Sequence, residues 1–298
     1  MLQRERGELD AAGVRPKLCQ PRRLGRAPGI WRDASMRVLI TGAGGILGRH
    51  VVRHFASLAP DADVIANKAD LTSLDATRAA IAALPPIDKV IHLAALVPIA
   101  SVKADPARAY AVNVGGTINL LSALDGHAAS FLYCSSSHVY APSDLPIAED
   151  AEKAPSSFYG RTKWVAESVA ADICEASGRA FCAARVFSIH DPAQTGSFLR
   201  PSIERRLAEE DLSQPFILPG GASIRDFSRA EDAAELVVRL ALSSATGPVN
   251  VGSGRGTAIR DFVQGLSPRP LDIRATGSSD TLVADISRLR QLLGDPDV

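Results

Sequence analysis

The sequence carries no excess of either charge: 33 Lys and Arg stand against 33 Asp and Glu in 298 residues. A general nucleic-acid binder carries a basic bias, so that class is excluded. No apolar run reaches about 18 residues, which excludes a membrane-spanning helix. Cysteine is scarce, with only Cys19, Cys134, Cys174 and Cys182, and no two form a Cys-x-x-Cys pair. Neither a zinc or other metal site nor a disulfide framework is expected, and a reducing cytoplasm is the expected location. Internal repeats and low-complexity tracts are absent as well. What is present, 46% hydrophobic and 22% charged residues, is the composition of a globular chain. Its length allows a large core, as one domain or two unequal ones.

The neutral total hides an asymmetry. Residues 1–35 hold eight basic and four acidic side chains, leaving 25 basic against 29 acidic in the rest. This segment is rich in Gly and Pro, has no apolar periodicity and lacks the apolar stretch of a secretory signal. Met36 stands directly before an apolar strand. Residues 1–35 are therefore expected to be a flexible, dispensable extension; the alternative is a basic docking arm.

From Met36 short apolar runs alternate with amphipathic segments. Strands are expected at Val38–Thr41, Val64–Ala66, Val90–Ala94, Phe131–Ser135 and Phe181–Val186. Helices are expected at Ile46–Leu58, Asp75–Leu84, about 106–124 and Phe158–Ala176. This order predicts an α/β fold, a doubly wound parallel sheet with helices on both faces. After Ser188 the order breaks into short elements, read as a small C-terminal lobe over 188–228 and 266–298. Residues 229–265 are read as returning to the main layer, with a helix at Asp232–Leu242 and a strand at Pro248–Val251.

Two motifs carry chemistry. Gly42-Ala43-Gly44-Gly45-Ile46-Leu47-Gly48 joins the first strand to the first helix. A tight turn, a close backbone approach to a pyrophosphate and close helix–strand packing each call for glycine, so dinucleotide binding is predicted. A dinucleotide site usually has an acid at the end of the second strand, to accept from the ribose 2′-hydroxyl. Here that end is Asn67-Lys68. Lys68 could meet a 2′-phosphate, with Arg49 as a second candidate, so NADP is favoured and NAD remains possible. Asp70-Leu71 is expected near the adenine. The second motif is Tyr159-Gly160-Arg161-Thr162-Lys163, which places Tyr and Lys on one helical face. Ser135-Ser136-Ser137-His138 ends the fourth strand, so these groups should meet in the crevice beyond the carboxyl ends of the strands.

With these motifs the sequence resembles the extended short-chain dehydrogenase/reductases, in the NAD-dependent epimerase/dehydratase branch that acts on nucleotide sugars. The resemblance runs over about 36–295. It also includes His92-Leu93-Ala94-Ala95, the run from Asn113 to Leu121, Arg225-Asp226-Phe227, Val249-Asn250-Val251-Gly252 and Asp285-Ile286-Ser287-Arg288. It implies a Rossmann-type NAD(P)-binding domain over 36–187 and a substrate-binding lobe. Tyr159 would exchange a proton with the substrate oxygen. Lys163 would lower the Tyr159 pKa and hold the nicotinamide ribose, and Ser136 would hydrogen-bond the reacting oxygen. Ala94, Ala95 and Asn113 would line the cofactor crevice. Arg225 would meet a diphosphate, unless it forms an ion pair with Asp226 or Asp232. A homodimer through the Ala107–Leu124 and Phe158–Ala176 stretches is also implied.

The resemblance narrows the reaction. Dehydratases of the family carry an Asp-Glu pair where this chain has Ser137-His138, so dehydration is not expected. Ser137, His138 and Ser188 are candidate substrate contacts, and His138 could serve either as an acid/base or only as a hydrogen-bonding or packing group. The expected activity is 4-keto reduction or 4-epimerisation of a nucleotide-linked, deoxy-type sugar. The alternatives are reduction of a smaller, non-nucleotide carbonyl compound and a cofactor-binding regulatory role.

Overall fold

The computed structural model describes residues 36–97 and 99–294; the extension expected over 1–35 lies outside them. Up to Val186 strand and helix alternate: β1 (Arg37–Thr41), α1 (Ile46–Leu58), β2 (Asp63–Asn67), α2 (Leu74–Ala82), β3 (Lys89–His92), α3 (Ile99–Ala104), α4 (Pro106–Tyr110), α5 (Gly116–Ala123), β4 (Ser130–Ser136), α6 (Phe158–Ala176) and β5 (Phe181–Val186). Shorter elements follow: β6 (Ser188–His190), α7 (Leu199–Glu209), β7 (Phe216–Pro219), β8 (Ile224–Arg229), α8 (Ala230–Leu242), β9 (Gly247–Val251), β10 (Gly256–Ala258), α9 (Ile259–Leu266), β11 (Ile273–Thr276), β12 (Thr281–Leu282) and α10 (Ser287–Leu293).

Six strands form one sheet in the order β2-β1-β3-β4-β5-β9, and every pairing in it is parallel. This is the Rossmann-type, doubly wound sheet expected from the element order. The strands are apolar without alternation because both faces are covered. Val38 and Ile40 enter one core with Phe55 of α1 and Val237 of α8. Leu39 enters the other with Leu120 of α5 and Ala166 of α6. Phe55 is fully buried, which is worth about 2–3 kcal/mol in area removed from water. Local capping agrees with the fold: Ser73 caps α2 and Ser157 caps α6, each accepting from a first-turn amide.

The stretch expected as one helix from 106 to 124 is divided. A single π turn, Ala111–Gly115, separates α4 from α5. The wide turn carries the buried Asn113, whose side chain bonds elements outside the helix. Such turns often mark functional regions, and periodicity alone does not reveal them.

The smaller lobe has its own core of Ile203, Phe216, Leu218 and Val263. Its strands pair as β7 with β11 and as β6, β10 and β12 around β8. Residues 229–265 do not all return to the main layer. α8 and β9 do, but β10 pairs antiparallel with β8 and α9 sends Val263 into the lobe core. Conversely, Leu289 of α10 is buried in the main core. Among the described residues no helix is long and apolar enough to cross a membrane.

Candidate active site

The glycine loop makes the tightest backbone approach in the crevice. Gly42 adopts φ +69°, and a Cβ there would stand 2.6 Å from the Ala94 nitrogen. A Cβ on Gly48 would overlap the Gly42 carbonyl oxygen. Gly45 is the N-cap of α1 and offers no side-chain cap, so no capping side chain claims the first-turn amides. Ile46 and Leu47 open that turn half-buried. This cradle suits an anionic pyrophosphate.

A cleft of about 190 Å³ runs from the loop past the end of β2, lined by Thr41, Gly42, Asn67, Lys68, Asp70 and Ala94, with Leu71 at its side. Asn67 and Asp70 are turned onto their own loop. Asn67 accepts from the Ala69 amide, and Asp70 accepts from both the amide and the hydroxyl of Thr72. The Thr72 side-chain bond is the main reason that Asp70 sits below the usual carboxylate pKa. Lys68 is exposed and has no polar partner among the described residues. Arg49 does not join it. Its guanidinium meets Asp191 at 2.6 Å, sharing that carboxylate with His50. The sequence reading of Arg49 as a second 2′-phosphate contact is corrected on this point, because a carboxylate 142 residues away has taken its charge.

Beyond the loop, Ser136 ends β4 and Tyr159 lies on the first turn of α6. Gly160 lets the two approach, since a Cβ there would overlap the His138 carbonyl oxygen. The Ser136 hydroxyl accepts from the His138 amide at 3.3 Å and lies near enough to the Tyr159 phenol to lower its pKa. Burial pushes the Tyr159 phenol above its ordinary pKa, the neighbouring Cys134 adds to this, and Ser136 opposes it. Lys163, one turn on, is only 3% exposed, and burial pulls its ammonium down to about 8. It has no hydrogen-bond partner among the described residues. A buried ammonium left without a partner at the crevice fits a ribose hydroxyl of a dinucleotide.

His92 organises the back of the crevice, although the sequence reading gave it no role of its own. Thr117 donates its hydroxyl proton to the Asn113 carbonyl oxygen, so it must accept from His92 Nε2, 2.9 Å away. His92 Nδ1 then accepts from the Thr41 hydroxyl at 2.6 Å, whose oxygen receives the Ala94 amide. Burial first, and then the charge of Lys163, lower the His92 pKa to about 3. Its neutral state fixes this chain of bonds. The signal in the sequence was its place at the end of β3, opposite Thr41 in the register.

Asn113 departs from its expected place along the crevice. It is 1% exposed and its amide is consumed: it accepts from the Leu96 amide and donates to the Leu96 carbonyl oxygen and to Thr162. It therefore holds the loop after β3 against α6. Ala94 and Ala95 of that loop are half-buried, with Ala94 in the cleft wall.

On the lobe side, Ser137 is almost fully buried, while His138 and Ser188 are half-buried. The His138 ring meets Tyr159 edge-on at 5.7 Å between centroids. Burial, then the nearby Arg225, lower the His138 pKa to about 4, against a smaller opposing effect of Asp280. Its imidazole is neutral near pH 7, so no inflection from His138 is expected in a pH–rate profile between pH 5.5 and 8. His138→Asn should keep turnover within about tenfold, as expected for a hydrogen-bonding group rather than an acid/base. A loss of turnover of a hundredfold or more in that variant would refute this. Arg225 pairs neither with Asp226 nor with Asp232: its guanidinium donates to Asp280 Oδ1 at 2.7 Å and to the Asp280 carbonyl oxygen at 3.0 Å. Two other arginines of the lobe are also engaged, Arg200 by Glu204 and Arg206 by Glu210.

Comparison with known proteins identifies the family. The chain is 32% identical to the GDP-6-deoxy-D-mannose reductase of Pseudomonas aeruginosa over 248 residues, 78% of this chain and 80% of the relative. It is 31% identical to the UDP-glucose 4-epimerase of Rhizobium meliloti over 232 residues, 69% of this chain and 71% of the relative. Among solved structures it is similar to RMD from Pseudomonas aeruginosa complexed with NADPH, with a TM-score of 0.78 and 27% identity over 87% of this chain and 93% of the other. Its fold also matches Pal from Bacillus thuringiensis, with a TM-score of 0.79 and 20% identity over 88% and 95% of the two chains. The model of the NAD dependent epimerase/dehydratase family matches residues 38–252. That span takes in the glycine loop, the serines ending β4 and the Tyr159–Lys163 pair, and the chain belongs to this family.

Proposed function

We propose that the chain is an NAD(P)-dependent oxidoreductase or epimerase of a nucleotide-linked sugar, reducing a 4-keto group or epimerising at C4. The carrying observation is the convergence of Ser136 and Tyr159 beside Lys163, whose ammonium has no hydrogen-bond partner among the described residues. A bound nicotinamide would supply or withdraw the hydride. The protein supplies the proton and the geometry. Tyr159 gives its phenolic proton to the carbonyl oxygen during reduction, or takes one from the hydroxyl during oxidation, and Ser136 donates a hydrogen bond to the same oxygen. Lys163 stabilises the phenolate by its charge and orients the ribose. The neighbouring Cys134 thiol and His92 imidazole are neutral, so neither adds a charge of its own beside the pair.

The NADP preference rests on Lys68, the exposed cation at the end of the cleft. Lys68→Ala should weaken NADP binding about tenfold, a typical value for one lost charge-assisted contact, and leave NAD binding within about twofold. Titration with both cofactors checks this; an unchanged NADP affinity would remove the basis for the preference. Reductase and epimerase differ in cofactor retention. Native mass spectrometry of undialysed protein should show the cofactor lost if the enzyme is a net reductase, and retained NAD if it is an epimerase. The reading includes a homodimer through α5 and α6 and action in the cytoplasm. A second reading, a smaller non-nucleotide carbonyl substrate, is favoured by one observation: the charge of Arg225 is already met by Asp280. A purely regulatory role is disfavoured because the Tyr159–Lys163 pair is intact.

A further inference from the structure

Tyr133 lies in the middle of β4 and is 1% exposed. Its ring enters the core shared with Ala166, Ala170 and Cys174 of α6. The same helix carries Lys163 across it, and Lys163 Nζ stands 4.2 Å above the centre of the ring.

The surroundings offer the ammonium no other close support. Glu167, one turn further along α6, spends its carboxylate on Arg185, accepting from Nε at 3.0 Å and from Nη2 at 2.5 Å. Burial holds the Cys134 thiol of β4 above its ordinary pKa, so it is neutral. His92 of β3 is neutral as well, and so is the Tyr159 phenol. No hydrogen bond reaches Lys163 Nζ among the described residues. A buried cation without a hydrogen-bond partner is strongly disfavoured; the Glu167 charge acts on it without a hydrogen bond, and the face of the Tyr133 ring is the negative potential that Nζ touches directly. The Tyr133 hydroxyl is itself buried with no hydrogen-bond partner.

We propose that Tyr133 is a positioning residue whose ring face holds the Lys163 ammonium in its charged form at the crevice, through a cation–π contact. Such contacts are strongest when both groups are desolvated. The inference rests on the reading that a charged Lys163 works beside Tyr159. Burial, opposed by Cys134 and Glu167, already brings Lys163 down to about 8, so losing the ring would carry its titration towards neutrality and remove charge beside Tyr159 at working pH.

The test reads Lys163 directly, in the whole cofactor-free protein. Lysine is labelled with 13C at Cε, the Lys163 resonance is assigned by its loss in Lys163→Arg, and its pH titration is followed. Tyr133→Phe keeps the ring and should leave the midpoint within about 0.3 pH units. Phenylalanines with one, two and three ring fluorines at position 133 keep the shape but weaken the quadrupole. The midpoint should fall stepwise, by about one unit in total. Tyr133→Leu should lower it by at least as much. A midpoint that does not move along the fluorinated series overturns the proposal, and that near-isosteric series decides alone if the Leu variant does not fold. No substrate is involved, so this failure is separate from failure of the proposed activity, which would appear as absence of turnover with an unchanged Lys163 titration.

Discussion

Tyr159→Phe is expected to reduce turnover by about a thousandfold or more while leaving cofactor binding within about threefold. Positioned proton transfer contributes typically 10²–10⁴ in rate, and Tyr159 carries a hydroxyl whose pKa Ser136 lowers and lies one helical turn before Lys163. The substitution removes the oxygen but keeps the ring, which packs with Val102 and Ala109 and meets His138 edge-on. The fold and the cradle at α1 should therefore survive. Ser136→Ala should have a smaller effect, because it removes a hydrogen bond to the reacting oxygen and leaves the proton donor in place. The measurement is cofactor oxidation with keto-sugars, alongside a fluorescence titration of the cofactor. A Phe variant that retains turnover would show that the proton comes from elsewhere.

The second large effect concerns stability. Asp226→Ala should destabilise the fold by about 4 kcal/mol, read as a lower urea midpoint. Asp226 is fully buried. Its carboxylate accepts from the Ser253 amide at 2.8 Å, the Ser253 hydroxyl at 2.7 Å, the Gly254 amide at 2.9 Å and the Ala284 amide at 3.2 Å. These bonds join β8 to the turn after β9 and to the segment before α10. A hydrogen bond to a charged group contributes about 1.5–3 kcal/mol, and an orphaned buried donor costs about 1–3 kcal/mol. Water entering the space left in Ala would recover part of this, which sets the figure below the full sum. Asp226→Asn keeps the shape and one carbonyl acceptor, so it should cost less than Ala. Equal stability of wild type and Ala variant would mean that these donors are solvated in solution. The packing is already tight, since a Cβ on Gly252 would stand 2.7 Å from the carboxylate.

Much of this site was legible from local pattern. The limits of α1, α6 and β5 coincide with the periodic segments Ile46–Leu58, Phe158–Ala176 and Phe181–Val186. The glycine spacing foretold the close approach at Gly42 and Gly48 because glycine is required there on steric grounds alone. The i, i+4 spacing likewise placed Tyr159 and Lys163 on one face of a helix. The division of the lobe was read less well. Elements of three to eight residues such as β10 and α9 are too short for periodicity to say which core they join.

What the sequence by itself determined, then, is the framework: the parallel sheet, the glycine turn and the helix that carries Tyr159 and Lys163. These follow from sterics and side-chain period, which act over a few residues. Only the tertiary structure decided how the polar groups are committed. Arg225 goes to Asp280, 55 residues away, and not to its neighbour Asp226. Arg49 and His50 converge on Asp191, the amide of Asn113 closes on Leu96 and Thr162, and the Lys163 ammonium comes to rest over the ring of Tyr133. A charge or an amide is satisfied by whichever partner the folded chain brings within about 3 Å, and that choice is made between elements distant in sequence.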